Sequence, residues 1–572
     1  MLKRNTWRTI CGWLCAVISF SSAHPSPKML CYSARPNAYF NDHAQQIAKI
    51  YDGFYFTIGS WDTGVRHFIG INDSLPEDNQ WQKLARENIA ALKEAGVTEN
   101  FLTVHFGSND AWPSAETLLS EDYTAKMIAH FSAIGNAAKN LGFRGVCIDT
   151  EYPYPRYEVN HEIYTYDNYT AEDLINAAQI QGKAIMTAIL DQFPEAVIMN
   201  LPGVLRTRSI ERTFLLGFLD VMAERQAPGG FHLGTEYTYC MHDPVTVLAT
   251  SRFEDTGIEL LPDEKSVAYW RKTCTIAPGV WPLHLVETGG KNYPIQAWQD
   301  EIKELQQEMM ILRAATKRYI WSYSGNPVWY LHTDKLEKKY GLKKPNLKQA
   351  DIDINDWHSV LKNKISLTDP GLLRLREKIE QFDRGELSAE QLCDAFGTPG
   401  RWWVLGMFTN PHLQPEFAAS GSNLSAIDLK MPHFGRGNVV RWFAFDNLDP
   451  RGVTSLRCIF DWFHTDSASA QLVSFIHSEA DHEALLHIGW DDGIIVCLDD
   501  EIVFDERDYP KRGKGMLFRD RYQFEKQVPI SIKKGRTRLS VVSLNSHGNW
   551  VLSLRITDKS DLPFPDIRFR LN

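Results

Sequence analysis

At 572 residues the chain is longer than one ordinary hydrophobic core, so two or three domains are expected. Its 44% hydrophobic and 23% charged residues are the composition of a folded, soluble protein and exclude a disordered one. A formal charge of -10 argues against nucleic acid or an anionic membrane as partner, because both require a basic face.

Residues 1–23 read as a secretory signal: Lys3, Arg4 and Arg8 make a basic start, residues 10–20 an apolar stretch, and Ser21-Ser22-Ala23 a small-residue cleavage site. The apolar stretch falls short of the roughly 20 residues a membrane span needs, and no other segment is long and apolar enough. The expected location is therefore secreted or periplasmic, with no membrane attachment beyond the signal. Of nine cysteines, Cys11 and Cys15 lie in the signal, and the remaining seven show neither CxxC nor zinc-ligand spacing. Most are expected as free core thiols; one disulfide stays open.

Eight short apolar runs follow, at residues 29–33, 53–59, 101–107, 145–151, 196–201, 230–237, 282–287 and 319–323. They lack clean polar alternation, as strands buried on both faces do. Stretches with apolar residues at helical spacing separate them, for example 81–95, 123–141, 171–193, 209–224 and 297–317. Strand then helix, repeated around a ring, predicts a (β/α)8 TIM barrel over residues 24–345. An open doubly wound sheet is the rival, but no Gly-rich phosphate loop follows the first run, and no nucleotide cofactor is expected. Residues 335–348 hold six lysines and read as a solvated linker, and a helical connector is assigned to 346–398, where Pro370 to Phe396 is charged and helix-prone. From residue 399 to 572 the chain breaks into short strand-like runs, including 472–477, 485–489, 494–498, 528–532 and 539–544, which predict an antiparallel β-sandwich, a candidate carbohydrate-binding module.

A parallel barrel gathers the carboxyl ends of all its strands on one face, where active sites of this architecture sit. Glu151 ends the fourth run and Glu287 the seventh. Glycoside hydrolysis needs such a pair, one carboxyl to protonate the leaving oxygen and one to attack or to activate water. Asp149 lies two residues before Glu151, on the same side of its strand. Glu236 ends the sixth run, with Tyr239 just beyond it. Trp61, Tyr239 and Trp321 are aromatic residues of that face, suited to the CH faces of a sugar ring, and His105 and Asn200 add hydrogen-bonding groups at strand ends. No strand carries paired histidines at ligand spacing, so no metal is expected.

Val286-Glu287-Thr288-Gly289 is similar to the nucleophile strand of clan A glycoside hydrolases, and Trp321 in Tyr319-Ile320-Trp321-Ser322 resembles their strand-eight tryptophan beneath the sugar. That resemblance implies a retaining hydrolase with Glu287 as nucleophile and Glu151 as acid/base; Thr150 stands where the clan has asparagine. Residues 143–153, with Asp149 and Glu151, also resemble the strand-four motif of chitinase-like family 18 hydrolases. That second resemblance implies a substrate-assisted reaction on N-acetylhexosaminides: Glu151 the acid, Asp149 orienting the acetamido group, and a tyrosine near strand six polarising it. Gly489-Trp490-Asp491-Asp492-Gly493 resembles a protective-antigen-type sandwich. Asp491 and Asp492 would either ligate calcium or shape a turn. The expected partner is an oligo- or polysaccharide, with a non-catalytic carbohydrate-binding barrel as the third alternative. A sandwich used only for attachment would let a chain ending near Pro345 keep its activity on small substrates.

Overall fold

A computed structural model of the protein describes residues 26–57, 80–105, 115–150, 170–203, 205, 210–239, 243–261, 263–281, 298–323, 354–409, 429–460, 465–499, 501–507, 524–546, 548 and 550–572. Eight parallel strands close into a barrel in sequence order: β1 Lys28–Ala34, β2 Gly53–Phe56, β3 Phe101–His105, β4 Gly145–Asp149, β5 Val197–Leu201, β6 Phe231–Thr235, β7 Thr275–Val280 and β8 Tyr319–Ser322. The signal segment and the lysine-rich stretch lie outside the described residues.

Side chains alternate cleanly between the two sides of the barrel wall, as a period of two requires. Leu30, Tyr55, Phe101, Cys147, Val197, Met199, Leu201, Ala277, Tyr319 and Trp321 pack together in the interior. Phe54, Phe56, Leu102, Val104, Val146, Ile148, Ile198 and Val280 point outward into the core shared with the helices. Local sequence sets the helix ends. The helix Glu121–Leu141 begins at Ser120, whose hydroxyl accepts the Tyr123 N–H, and stops at Gly142 in the left-handed conformation (φ 83°). The helix Ala171–Gln192 opens on a reciprocal capping box between Thr170 and Asp173.

One strand departs from the sequence reading. The seventh strand is Thr275–Val280, and not residues 282–287. Pro278 and Gly279 break the apolar run and disguise it, since proline inside a run ordinarily argues against a strand. Here both residues fit. Thr235 and Pro278 stand in register between β6 and β7, and Gly279 pairs with Trp321 of β8. A Cβ at Gly279 would come within 2.7 Å of the side chains of Trp321 and Tyr239, so only glycine lets those rings close over the strand.

Three helices, Ile354–Lys362, Pro370–Asp383 and Ala389–Ala395, follow the barrel, and Val360, Leu361, Leu372, Leu375, Ile379, Phe382 and Leu392 belong to the barrel's own outer core. This region is part of the barrel's packing. The C-terminal region is a sandwich of antiparallel sheets built from β9 Arg401–Thr409, β10 His433–Phe434, β11 Val439–Val440, β12 Phe443–Asp446, β13 Val453–Ser455, β14 Ala468–Ser478, β15 His482–Trp490, β16 Gly493–Leu498, β17 Glu501–Glu506, β18 Lys526–Ile532, β19 Gly535–Asn545, β20 Val551–Thr557 and β21 Arg568–Arg570. One sheet runs β12-β9-β14-β19-β16-β17 with β21 beside β14, the other runs β13-β20-β15-β18, and β10 and β11 form a separate hairpin. Trp402, Trp550, Leu472, Leu486, Val541 and Leu554 are among the residues that fill the space between the two sheets.

Candidate active site

The carboxyl end of β4 carries the best-defined acid of the barrel mouth. Asp149 is 1% exposed, and the Tyr32 hydroxyl donates to its Oδ2 at 2.6 Å. Both residues occupy interior positions, Tyr32 two beyond Leu30 and Asp149 two beyond Cys147. An O–H···O⁻ bond of this length is the strong, charge-assisted kind, and it fixes the carboxylate's direction. Beneath it, burial first and then the charge of Asp149 push the Cys147 thiol well above its ordinary range, which makes Cys147 a packing group and not a nucleophile. His105 stands in register beside Asp149 on β3.

Aromatic rings pave this end of the barrel. Trp321 of β8 is 2% exposed, donates its indole N–H to the Ala277 carbonyl at 2.9 Å, and meets Tyr32 and Tyr239 edge-on at 5.9 and 5.5 Å. Tyr239 is equally buried and packs against Trp281 at 5.8 Å. Trp281 in turn stands edge-on to Tyr323 at 4.9 Å. Trp321 and Tyr239 are therefore the floor of the mouth, while the half-buried Tyr32, Trp281 and Tyr323 are the rings above it. Edge-to-face pairs of this kind hold ring orientation as well as burying area.

The sequence-predicted residues separate into three groups. Asp149, Tyr239 and Trp321 meet at the mouth, and the partly exposed Glu236 directly follows β6 there, its carbonyl accepting the Tyr239 N–H at 3.0 Å. Asn200 does not join them. It shares the outward face of β5 with Ile198, is fully buried, and gives its side-chain N–H groups to the Ile148 carbonyl at 2.9 Å and the Thr150 hydroxyl at 3.3 Å. It clamps β4 to β5 from outside the barrel. Glu151, Glu287 and Trp61 lie outside the described residues. Because β7 ends at Val280, Glu287 belongs to the segment after that strand and not to its end.

Tyr32, Trp281 and Tyr323 were not singled out from the sequence. Tyr32 sits near the end of a correctly read first strand, where an aromatic hydroxyl two residues beyond Leu30 was the available signal. Trp281 was hidden by the displaced seventh strand. The opposite, amino end of the barrel is plugged by a polar set of a different kind. Tyr319 donates to Glu99 at 2.7 Å, and Arg318 lies 3.1 Å from the ring nitrogen of the buried His232. In this architecture that end serves stability.

Among the described residues, no group of three His, Cys, Asp or Glu side chains converges as a metal site, and no helix is long and apolar enough to cross a membrane. The described cysteines are free thiols. In the sandwich, Asp492 adopts positive φ (78°) between β15 and β16, and its carboxylate accepts the Ser546 N–H at 2.9 Å, so it shapes a turn.

No family model matches the chain, and no curated protein is significantly similar to it. Several solved structures are. The xylanase XynB from Paenibacillus barcinonensis is 10% identical with a TM-score of 0.34, covering 59% of this chain and 96% of that one. The endo-beta-mannanase/endo-beta-glucanase of Prevotella bryantii is 11% identical with a TM-score of 0.29, covering 56% of this chain. The chain spans only 44% of that protein's length. A morphinone reductase matches equally, at 10% identity and a TM-score of 0.32, over 59% of this chain and 92% of the other. Hydrolases and a reductase matched at one level leave the activity to be read from the side chains of this chain.

Proposed function

We propose that the protein is an exported glycoside hydrolase working at the carboxyl face of its barrel, with Glu151 as proton donor and Asp149 orienting the acetamido group of an N-acetylhexosaminide. The observation that carries this reading is the buried Asp149 carboxylate, held by Tyr32 at 2.6 Å beneath a set of aromatic rings. Glu151 follows it by two residues, so the pair supplies an acid and an orienting anion from one strand end.

In the proposed reaction the acetamido oxygen of the substrate attacks the anomeric carbon as Glu151 protonates the departing glycosidic oxygen. Asp149 stabilises the positive charge that develops on the acetamido nitrogen. Water then attacks the bicyclic intermediate, giving its proton to the Glu151 carboxylate and restoring the starting state. The tyrosine that reaches Asp149 comes from β1, whereas Tyr239, beyond β6, lies in the floor. Tyr32, Trp281 and Tyr323 suit the apolar face of a pyranose.

A covalent route with Glu287 as nucleophile is the second reading, favoured by the place of that residue in the sequence, seven residues after Val280, the last residue of β7. The two routes differ in what stops them. Under the first, a thiazoline mimic of the bicyclic intermediate inhibits hydrolysis of aryl N-acetylhexosaminides, and a fluorosugar leaves the mass of the protein unchanged. Labelling of Glu287 by the fluorosugar, with no inhibition by the thiazoline, would replace it with the second. Background turnover on a broad glycan panel would reduce the barrel to a binding protein.

A further inference from the structure

Residues 236–239, which follow β6, carry Glu236 and Tyr239 at the barrel mouth, and the sandwich reaches the chain on either side of Tyr239, at Tyr237 and at Asp243. At the far end Arg555 of β20, 1% exposed, forms an ion pair with Asp243 and donates to the Thr246 hydroxyl at 2.8 Å. Asp243 is the N-cap of the helix Pro244–Thr250 and accepts the N–H groups of Val245 and Thr246 at 3.2 Å each. The guanidinium of Arg555 also lies 4.5 Å from the centre of the Phe524 ring, a sandwich residue. At the near end Arg451, 4% exposed and held by both oxygens of Asp449 at 3.0 and 2.8 Å, lies 4.9 Å from the ring centre of Tyr237 and 3.9 Å from that of Phe253. Between the two grips, Tyr239 packs on Trp281 and Trp321.

We infer that Arg555 and Arg451 are positioning residues: the sandwich holds the segment after β6 in place and so sets the geometry of the barrel mouth for turnover. Two buried guanidinium groups, each made rigid by a carboxylate within its reach, form a stiffer support than a surface contact between domains. A chain ending near Pro345 would lose both arginines and the helices that complete the outer core, contrary to a role in attachment alone. The inference rests on the glycosidase reading for its effect on turnover, while the grip itself is a matter of structure.

Arg555→Met tests it in the full-length protein, with Arg536→Met as control; Arg536 is exposed and stacks on Phe475 within the sandwich, at 4.9 Å. Hydrogen exchange at residues 236–250 should accelerate at least about tenfold in Arg555→Met, and kcat should fall by about tenfold or more with KM within about twofold, because small misplacements near reacting groups cost rate. Arg555→Lys should recover part of both, and Arg536→Met should change neither. Unchanged exchange in that segment overturns the grip. Accelerated exchange with unchanged kcat overturns the positioning role and leaves the glycosidase reading intact. If the wild type hydrolyses no glycoside, the glycosidase reading and the effect on turnover fall together, and the exchange result alone decides the grip. If Arg555→Met does not fold, Asp243→Asn and Arg451→Met carry the same two measurements with the same criteria.

Discussion

At the scale of single residues, the barrel keeps its charged groups apart by function. Asp149 is held at the carboxyl end by a hydroxyl, and His232 is held neutral at the amino end. Burial first, then the nearby Arg318, lowers the His232 pKa to about 3. An unfolded histidine titrates near about 6.5, so below that value the unfolded chain takes up a proton that the native state refuses. The stability contributed by neutral His232 is therefore complete above that pH and is lost as pH falls from about 6.5 toward 3. In urea titrations between pH 4 and 7, His232→Gln should lose stability with acid less steeply than the wild type. Parallel pH curves for the two proteins would contradict this account.

Among the elements, ion pairs tie the barrel's helices to the region that follows it. Arg252, 3% exposed, reaches both oxygens of Asp383 at 2.9 and 2.8 Å, and Lys317 reaches the same carboxylate at 2.8 Å. Burial alone would raise the Asp383 pKa, but the two cations outweigh it and hold the carboxyl below its ordinary value. Asp383→Leu removes the two-oxygen partner of a buried guanidinium, leaving it the looser pair with Asp255 at 3.9 Å, and should cost about 3–5 kcal/mol in denaturant unfolding. Adding Arg252→Met to that variant should recover a large part of the loss, since an apolar pair replaces a desolvated charge. A double variant as unstable as the sum of the two single ones would mean that the pair does not couple.

The strand pattern was legible where strands are uninterrupted apolar runs, which is why β1 through β6 and β8 follow from the sequence alone. It failed at β7, where Pro278 and Gly279 answer to the rings of Trp321 and Tyr239, a requirement set by strands distant in the chain. The same limit explains the site. Asp149, Trp321 and Tyr239 follow from their strand ends, but whether Asn200 faces in or out depends on strand parity, and a shift of one residue reverses it. The bracing role of Arg451 and Arg555 gave no local signal, because the groups they reach across to, Tyr237, Phe253, Asp243 and Thr246, lie in the barrel.

Across the whole molecule, a buried acid at the end of β4, rings above it and a sandwich bracing the neighbouring segment converge on one mouth. The most direct measurement is kcat/KM of Asp149→Asn, Glu151→Gln and Glu287→Gln on aryl N-acetylhexosaminides. Losses of about 100-fold or more in the first two variants, with the third within about tenfold of wild type, are the predicted result, as expected for removal of groups acting in the transition state. Full activity in Asp149→Asn together with collapse in Glu287→Gln would contradict it.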